Sequence, residues 1–477
     1  MPEYLPGNGP CTENGLGRSK GYNKEEIVEK HFSLFCGEDD IQSRKPGPMA
    51  TMSLELSRTI GEHGGATEDE AEQDRSIQTL PPTDQGPKAW SFRGIPVNYG
   101  VFQNYYSRQP EFQDNTNIAL VGTLATSIQF LGAPFATPLV KKYHAWQRHM
   151  VWTGCALCVV SLLAASFCTS IAGLAVTQGA LYGTGFLIMY FPILCMMNEW
   201  FVRRRGLAYG ILYAGGGLSG VGLPFLMEWL LARFGYKITL RALAVGVFLL
   251  IAPIQPLLKG RLPPSHSGAI SAVDLSFLAQ SHFWVLALSN LCQGFAYYMP
   301  GLYLPTYASA LGYSSRIGAL ILAASNLAST LGQVSFGYLT DRVSNVHILV
   351  FVSTTVSAVV SFTLWGMAHS LTLLIVFAIA YGWFAGAYPV YWPKFGSLIS
   401  EDPQPVYSMM SFGKGVGNVV AGPVSAALLT RPLTSGYGMG RFQPLIVFVG
   451  SLMGVASLVI VGWPLRRFTP VRRRFTS

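Results

Sequence analysis

A lysine inside an apolar stretch is the residue of this chain best placed to do chemistry. Lys414 lies in the glycine-rich segment 411–418, about a third of the way into an apolar run over 406–430. A charged side chain inside a bilayer is costly unless it faces a cavity, so such a residue indicates function. Its ammonium could hold a carboxylate or phenolate, or take part in proton coupling. The alternative, which the sequence supports equally well, is that the lysine extends to the membrane surface along its aliphatic stem.

Uncharged polar side chains inside other apolar runs are the next candidates. Lipid excludes them unless they line a cavity or bond to a neighbouring helix, and the sequence favours neither alternative. They lie on one face of the seventh run, on one face of the eighth, and at aromatic positions of the fourth, fifth and tenth. These candidates are Asn290, Gln293, Tyr297 and Tyr298; Asn326, Ser329, Thr330 and Gln333; and Tyr190, Tyr213, Tyr381 and Tyr388.

Nothing in the sequence has the spacing of a catalytic or metal site. The eight histidines lie in the N-terminal tail, in loops or at the ends of apolar runs. Cys155 and Cys158 have the spacing of a redox or zinc motif, but they lie mid-run with no further cysteine or histidine nearby, which favours packing. The glycines at 215–217 lie within an apolar helix, so they form no phosphate-binding loop. We therefore predict no enzymatic activity, no cofactor and no metal.

The composition is typical of a protein that crosses a membrane many times. Hydrophobic residues make up 50% of the 477 and charged residues only 12%, and the mean hydropathy is +0.35. Soluble domains average about 25% charged residues. The net charge of +9 is explained by basic loops on one membrane face, not by a nucleic-acid partner. The predicted partners are the lipid bilayer, a small organic solute and a coupling proton.

Three adjacent arginines mark a membrane surface in the middle of the N-terminal half. Arg203, Arg204 and Arg205 follow the aromatic pair Trp200-Phe201 and precede an apolar helix of small residues. Small residues spaced four apart, such as those at 206, 210 and 214, let two helix backbones approach closely.

This stretch resembles the fifth-helix signature of the monocarboxylate transporter family, a branch of the major facilitator superfamily. Ser219 departs from the pattern, since the family has a glycine there. After the eighth run, residues 337–342 resemble a superfamily loop motif whose aspartate can cap and bridge helix ends. The loop at 141–149 lacks that aspartate, so its lysines are expected to supply only surface charge. The resemblance implies gating roles for Arg203, Arg204, Arg205, Gly337, Asp341 and Arg342.

The resemblance also implies the fold: an all-α membrane protein of the facilitator type. Such a protein has about 12 transmembrane helices in two six-helix halves, with the substrate site between the halves near mid-membrane. The polar leader cannot bury enough apolar surface to fold alone. The predicted domains are a disordered cytosolic tail over 1–87, an N-terminal transmembrane half over 88–258, a cytosolic central loop over 259–282, a C-terminal transmembrane half over 283–465 and a basic cytosolic tail over 466–477.

The first transmembrane helix is predicted to be truncated. Residues 84–90 resemble the approach to the first helix in fungal relatives, and 99–106 resemble its outer end. The intervening residues 91–98 include Arg93 and Pro96, whereas a span needs roughly 20 apolar residues. A mis-spliced gene model and a degraded gene both account for this gap.

The loop charges predict the orientation of the chain. Basic residues are concentrated in the loops after the even-numbered runs and in the C-terminal tail, while the opposite face carries few. Loops rich in lysine and arginine face the cytosol. Both termini are therefore predicted to be cytosolic, in a multi-pass protein of the plasma membrane.

The resemblance implies secondary transport of a small organic solute by alternating access. The animal lactate carriers use an aspartate and an arginine one turn apart in the eighth helix, where this chain has Ser329 and Gln333. A neutral, polar wall suits a monocarboxylate or a weakly acidic metabolite larger than lactate, including efflux of a fungal secondary metabolite. The alternative is a transport-inactive relative, either a sensor or a protein disabled by its first helix.

Overall fold

The computed structural model describes residues 118–258, 260, 274–430 and 436–462. All regular structure within these ranges is helical, with no strand. The predicted disordered tail and the predicted truncated first helix lie outside the described residues. The helices below are numbered as transmembrane helices two to twelve, which keeps the numbering of the predicted spans.

The N-terminal half contains helices two to six. Helix two is interrupted at Gly132, which precedes a proline in the first turn of its second segment. Helices five and six form one continuous run, broken where Gly235 adopts φ 70° and ψ 175°, a conformation that favours glycine. Their bounds are Ile118–Leu131 with Ala133–Lys142 for helix two, Gln147–Ala165 for helix three, Ile171–Trp200 for helix four, and Arg205–Ile251 for helices five and six.

The C-terminal half contains helices seven to twelve. Helix seven is Ser281–Ala310, helix eight Ser315–Arg342, helix nine Val346–Trp365, helix ten Leu371–Ile399, helix eleven Pro403–Leu429 and helix twelve Gln443–Val461. Helix eleven begins cleanly because Asp402 accepts a hydrogen bond from the Gln404 backbone N–H and Pro403 fits the first turn.

Seven helical segments of the described residues are long and apolar enough to span a bilayer by length and composition. They come from helices three, four, six, eight, nine, ten and twelve. Helices seven and eleven, which carry Lys414 and most of its neighbours, are not among these seven. Their polar residues and glycines lower the hydropathy, as expected of helices that line a site inside the membrane.

Helix five of the N-terminal half packs directly against helix eight of the C-terminal half, backbone to backbone. A Cβ at Gly210 would lie 2.6 Å from the Gln333 carbonyl oxygen, and one at Gly337 would lie 2.7 Å from the Gly206 carbonyl oxygen. Any side chain at either position would push the helices apart. The small residues that the sequence aligns on one face therefore set the distance between the two halves.

Candidate functional site

Lys414 is buried in the C-terminal half, with only 1% of its surface exposed. Its Nζ donates a hydrogen bond of 2.5 Å to Gln293 Oε1 on helix seven. The same Nζ lies 3.9 Å from the ring centroid of Tyr297 and 5.3 Å from that of Tyr298. The side chain therefore points into the protein, and the alternative that it extends to the membrane surface is wrong.

Glycines let helix eleven come close enough for this contact. A Cβ at Gly294 would lie 3.3 Å from the Lys414 Cα, and a side chain at Gly417 would overlap the Gly294 backbone. Because the two backbones nearly touch, the lysine reaches Gln293 and the tyrosine rings one helix away. The glycine-rich composition around Lys414 is thus a positioning feature.

The ammonium has favourable neighbours but no anion. A cation over a buried aromatic face gains about 2 kcal/mol, and a hydrogen bond to a charged group about 1.5–3 kcal/mol. Burying the charge costs several kcal/mol, so these contacts offset much of the cost. No acidic side chain pairs with Lys414 in the part of the chain that the structure describes. An organic anion bound at Nζ would supply the missing charge.

Gln293 is held in place from its other end. Its Nε2 donates to the Ala385 carbonyl oxygen on helix ten at 3.0 Å, which turns Oε1 toward Lys414. The amide thus acts as a fixed acceptor for the Lys414 Nζ. Helices seven, ten and eleven together build this lysine site, which we define as Lys414, Gln293, Tyr297 and Tyr298.

Two candidates on helix eight bond to carbonyl groups of helix ten. Ser329 Oγ donates to Gly382 O at 3.0 Å, and Gln333 Nε2 donates to Gly386 O at 3.2 Å. The Gln333 Oε1 atom is buried without a hydrogen-bond partner, and it lies near Gly217 of helix five. The positions that hold an acid–base pair in the lactate carriers are thus neutral here and partly used for packing.

Several other candidates connect helices within the C-terminal half. Asn290 donates to the Met410 carbonyl oxygen at 2.7 Å and accepts from Trp392 Nε1 at 2.9 Å. The Tyr388 hydroxyl lies 2.8 Å from Ser289 Oγ, and the Tyr381 hydroxyl donates to Ala296 O at 3.2 Å. Their polar groups are engaged between helices in this conformation.

The boundary between the halves is crossed by further polar contacts. The hydroxyls of Tyr213 on helix five and Tyr407 on helix eleven lie 2.5 Å apart. Asn326 Nδ2 donates to Gly220 O at 3.3 Å, and Asn418 Nδ2 donates to Thr126 Oγ1 at 3.0 Å. These contacts tie helices eight and eleven to the N-terminal half.

Tyr190 belongs to the aromatic surroundings of the Tyr213–Tyr407 pair. Its ring stacks on Phe186 at 5.3 Å between centroids. Tyr407 also packs edge-on against Trp392, 5.4 Å between centroids. Sequence reasoning missed Tyr407, although it precedes Lys414 by two helical turns and so shares its face of helix eleven.

The halves also meet at the end of the bundle where the basic triplet lies, which we call the basic end. Asp341, in the last turn of helix eight, accepts hydrogen bonds from the backbone N–H groups of Gly206 at 2.7 Å and Leu207 at 2.8 Å. These are unpaired donors in the first turn of helix five, so the carboxylate also meets the positive end of the helix dipole. Asp341 therefore caps a helix of the opposite half.

A second bridge at the basic end was not foreseen. Lys141, at the end of helix two, forms a salt bridge with Asp402, the residue that caps helix eleven. Asn198 Nδ2 donates to Gln404 Oε1 beside it at 2.6 Å. The expectation that Lys141 supplies only surface charge is wrong, because it pairs with a carboxylate of the other half.

The remaining residues of the two loop motifs stay local. Arg205 donates to the carbonyl oxygens of Phe201 and Asn198, at 3.1 and 3.4 Å. Arg203 and Arg204 are exposed. The Arg342 guanidinium lies 5.2 Å from the Tyr338 ring centroid. Gly337 and Asp341 make contacts across the boundary.

The sequence has recognisable relatives. The aspyridones efflux protein of Emericella nidulans is 24% identical over 423 residues, covering 84% of each chain. Monocarboxylate transporter 13 of Rattus norvegicus is 26% identical over 382 residues, covering 78% of this chain and 85% of that one.

A solved structure shares the fold. The transporter FucP in its outward conformation superposes with a TM-score of 0.55 at 15% identity, covering 80% of this chain and 97% of FucP. The sequence profile described as Major Facilitator Superfamily matches residues 97–345 and 286–477. The chain therefore belongs to the Major Facilitator Superfamily, as a multi-pass membrane transporter.

Proposed function

We propose that this transporter carries a small organic anion, a monocarboxylate or a weakly acidic metabolite, and binds it at Lys414. The observation that carries the proposal is a buried ammonium that has an amide and two tyrosine rings for neighbours, but no carboxylate among the described residues. A carboxylate, phenolate or enolate can take the place of the Gln293 amide. The tyrosine rings suit a substrate with a planar, apolar body.

Alternating access would follow from rocking of the two halves about this site. In the conformation described, contacts close the basic end: Asp341 to helix five, Lys141 to Asp402, and Tyr213 to Tyr407. Opening that end requires all three to break. The proposed gating residues are therefore Asp341, Gly337, Lys141 and Asp402, with Tyr213 and Tyr407 between them and the lysine site.

The names of the relatives are compatible with an anionic solute and leave the direction open. One is named for efflux of a fungal metabolite and the other for monocarboxylate transport. The neutral pair Ser329 and Gln333 argues against the acid–base mechanism of the lactate carriers. We place the basic end at the cytosolic face of the plasma membrane, which microscopy and terminal tags can test.

The second candidate function is that of a transport-inactive relative. It is motivated by residues 91–98, whose Arg93 and Pro96 leave the predicted first helix short of the roughly 20 apolar residues that a span needs. Under this alternative the lysine site still binds a ligand, but the protein does not transport it and either acts as a sensor or has no function.

Uptake into membrane vesicles distinguishes the anion transporter from the transport-inactive relative. We expect the chain as written to take up labelled p-aminohippurate, an aromatic monocarboxylate, above the level of vesicles without the protein. A matched chain with a full-length first helix should transport at a similar rate. Uptake only after the helix is restored would support the inactive relative, and uptake by neither chain would refute the transport of such anions.

A further inference from the structure

We infer that Lys414 itself carries the proton that balances the transported anion, so that net movement transfers one anion together with one proton. The inference rests on the proposed function, because it names the group that supplies positive charge to the bound substrate. It assigns the proton-carrying role to a single lysine of helix eleven and not to a carboxylate.

The first support is the distribution of acidic residues. Between residues 118 and 462 the sequence has six: Glu199, Glu228, Asp274, Asp341, Glu401 and Asp402. Within 281–462 the three acidic residues all lie at the basic end, where Asp341 caps helix five and Asp402 pairs with Lys141. The interior of helices seven to twelve thus contains a lysine and no carboxylate that could carry a proton.

The second support is what surrounds Lys414. Helix seven presents Gln293, Tyr297 and Tyr298 to its Nζ. Neither Ile118–Leu131 of helix two nor helix twelve contains an ionisable side chain. The other titratable groups of the helices that pack on helix eleven lie on helix seven, on helix ten and at the basic end, and these are His282, Cys292, Tyr303 and Tyr307; Tyr381, Tyr388, Tyr391 and Lys394; and Lys141 and Lys142. None of them is a carboxylate.

The charge balance follows. In the empty carrier the uncharged Lys414 amine donates its hydrogen bond to Gln293 Oε1. Binding of the anion from one side is accompanied by one proton from that side, which forms an N–H bond and gives an ammonium–anion pair of zero net charge. On the other side the anion leaves, the N–H bond breaks and the proton follows it. No electron is transferred, and the empty carrier returns uncharged.

Calorimetry of the purified full chain tests this directly. We titrate p-aminohippurate in two buffers with different ionisation enthalpies, which reports how many protons are taken up per anion bound. The wild-type protein should take up about one proton, since a buried amine whose neighbours are all uncharged becomes an ammonium when the anion binds. Lys414→Arg should still bind the anion but take up close to none, because a guanidinium stays protonated.

The possible results separate the inference from the function on which it rests. Intact binding with no proton uptake by the wild-type protein, or equal uptake by Lys414→Arg, would overturn the inference alone. No binding by the wild-type protein would overturn the proposed function as well. If the arginine variant does not fold, uptake by wild-type proteoliposomes decides: it should be unaffected by an imposed membrane potential, and a strong dependence on potential would contradict the inference.

Discussion

Replacing Lys414 by methionine is expected to lower the initial rate of p-aminohippurate uptake at low concentration by about a hundredfold or more. Methionine keeps the length and apolar stem of the side chain, so the packing of helices seven and eleven should survive. The change removes the hydrogen bond to Gln293 and the positive charge proposed to bind the anion. The measurement is the concentration dependence of uptake in proteoliposomes.

The control for this variant is Lys237→Met. Lys237 is exposed near the break between helices five and six, where its Nζ lies 5.8 Å from the Tyr236 ring centroid. The same chemical change there should leave uptake within about twofold of the wild-type rate, as for surface substitutions in general. Unchanged kinetics of Lys414→Met, with normal expression, would remove Lys414 from the site.

Replacing Asp341 by asparagine should open the basic end. The carboxylate accepts two backbone N–H groups of helix five from the opposite half, whereas an amide offers one oxygen and loses the charge. A hydrogen bond to a charged group contributes about 1.5–3 kcal/mol, so the balance between closed and open states should shift about thirtyfold. The readout is the rate at which a membrane-impermeant thiol reagent labels a cysteine at Gln404, which is buried when the end is closed.

Asp274→Asn is the matched control for that experiment. Asp274 Oδ1 accepts a hydrogen bond from the Ser276 backbone N–H, two residues away, so it caps its own chain segment. The control should leave the labelling rate at Gln404→Cys unchanged. Equal labelling in the Asp341→Asn and parent proteins would mean that this cap does not hold the halves together.

The fold could be predicted from the sequence because it depends on patterns that extend along whole helices. Apolar runs of span length, the basic triplet at 203–205 and the glycine row beginning at Gly206 together predict the helices and their close packing. The structure confirms the all-helical fold and describes helices two to twelve. The short break between helices five and six at Gly235 was harder to predict from the sequence. Its positive φ has no sequence signal other than the glycine itself.

The site was harder to predict because side-chain direction is a property of packing. The sequence could place Lys414 in a span but could not distinguish a buried ammonium from one at the surface, which depends on how closely glycines bring helices seven and eleven together. The salt bridge between Lys141 and Asp402 joins residues far apart in the sequence. No local pattern encodes such a pair, so reasoning from the loop motif alone missed it.

Counterflow is the measurement that tests the central claim most directly. Proteoliposomes containing the purified chain are loaded with unlabelled p-aminohippurate and diluted into a trace of the labelled compound. A carrier with alternating access and an anion site at Lys414 should concentrate the label transiently inside the vesicles, and Lys414→Met should abolish that overshoot. Passive equilibration without an overshoot, or an overshoot of the same size in the methionine variant, would contradict the account.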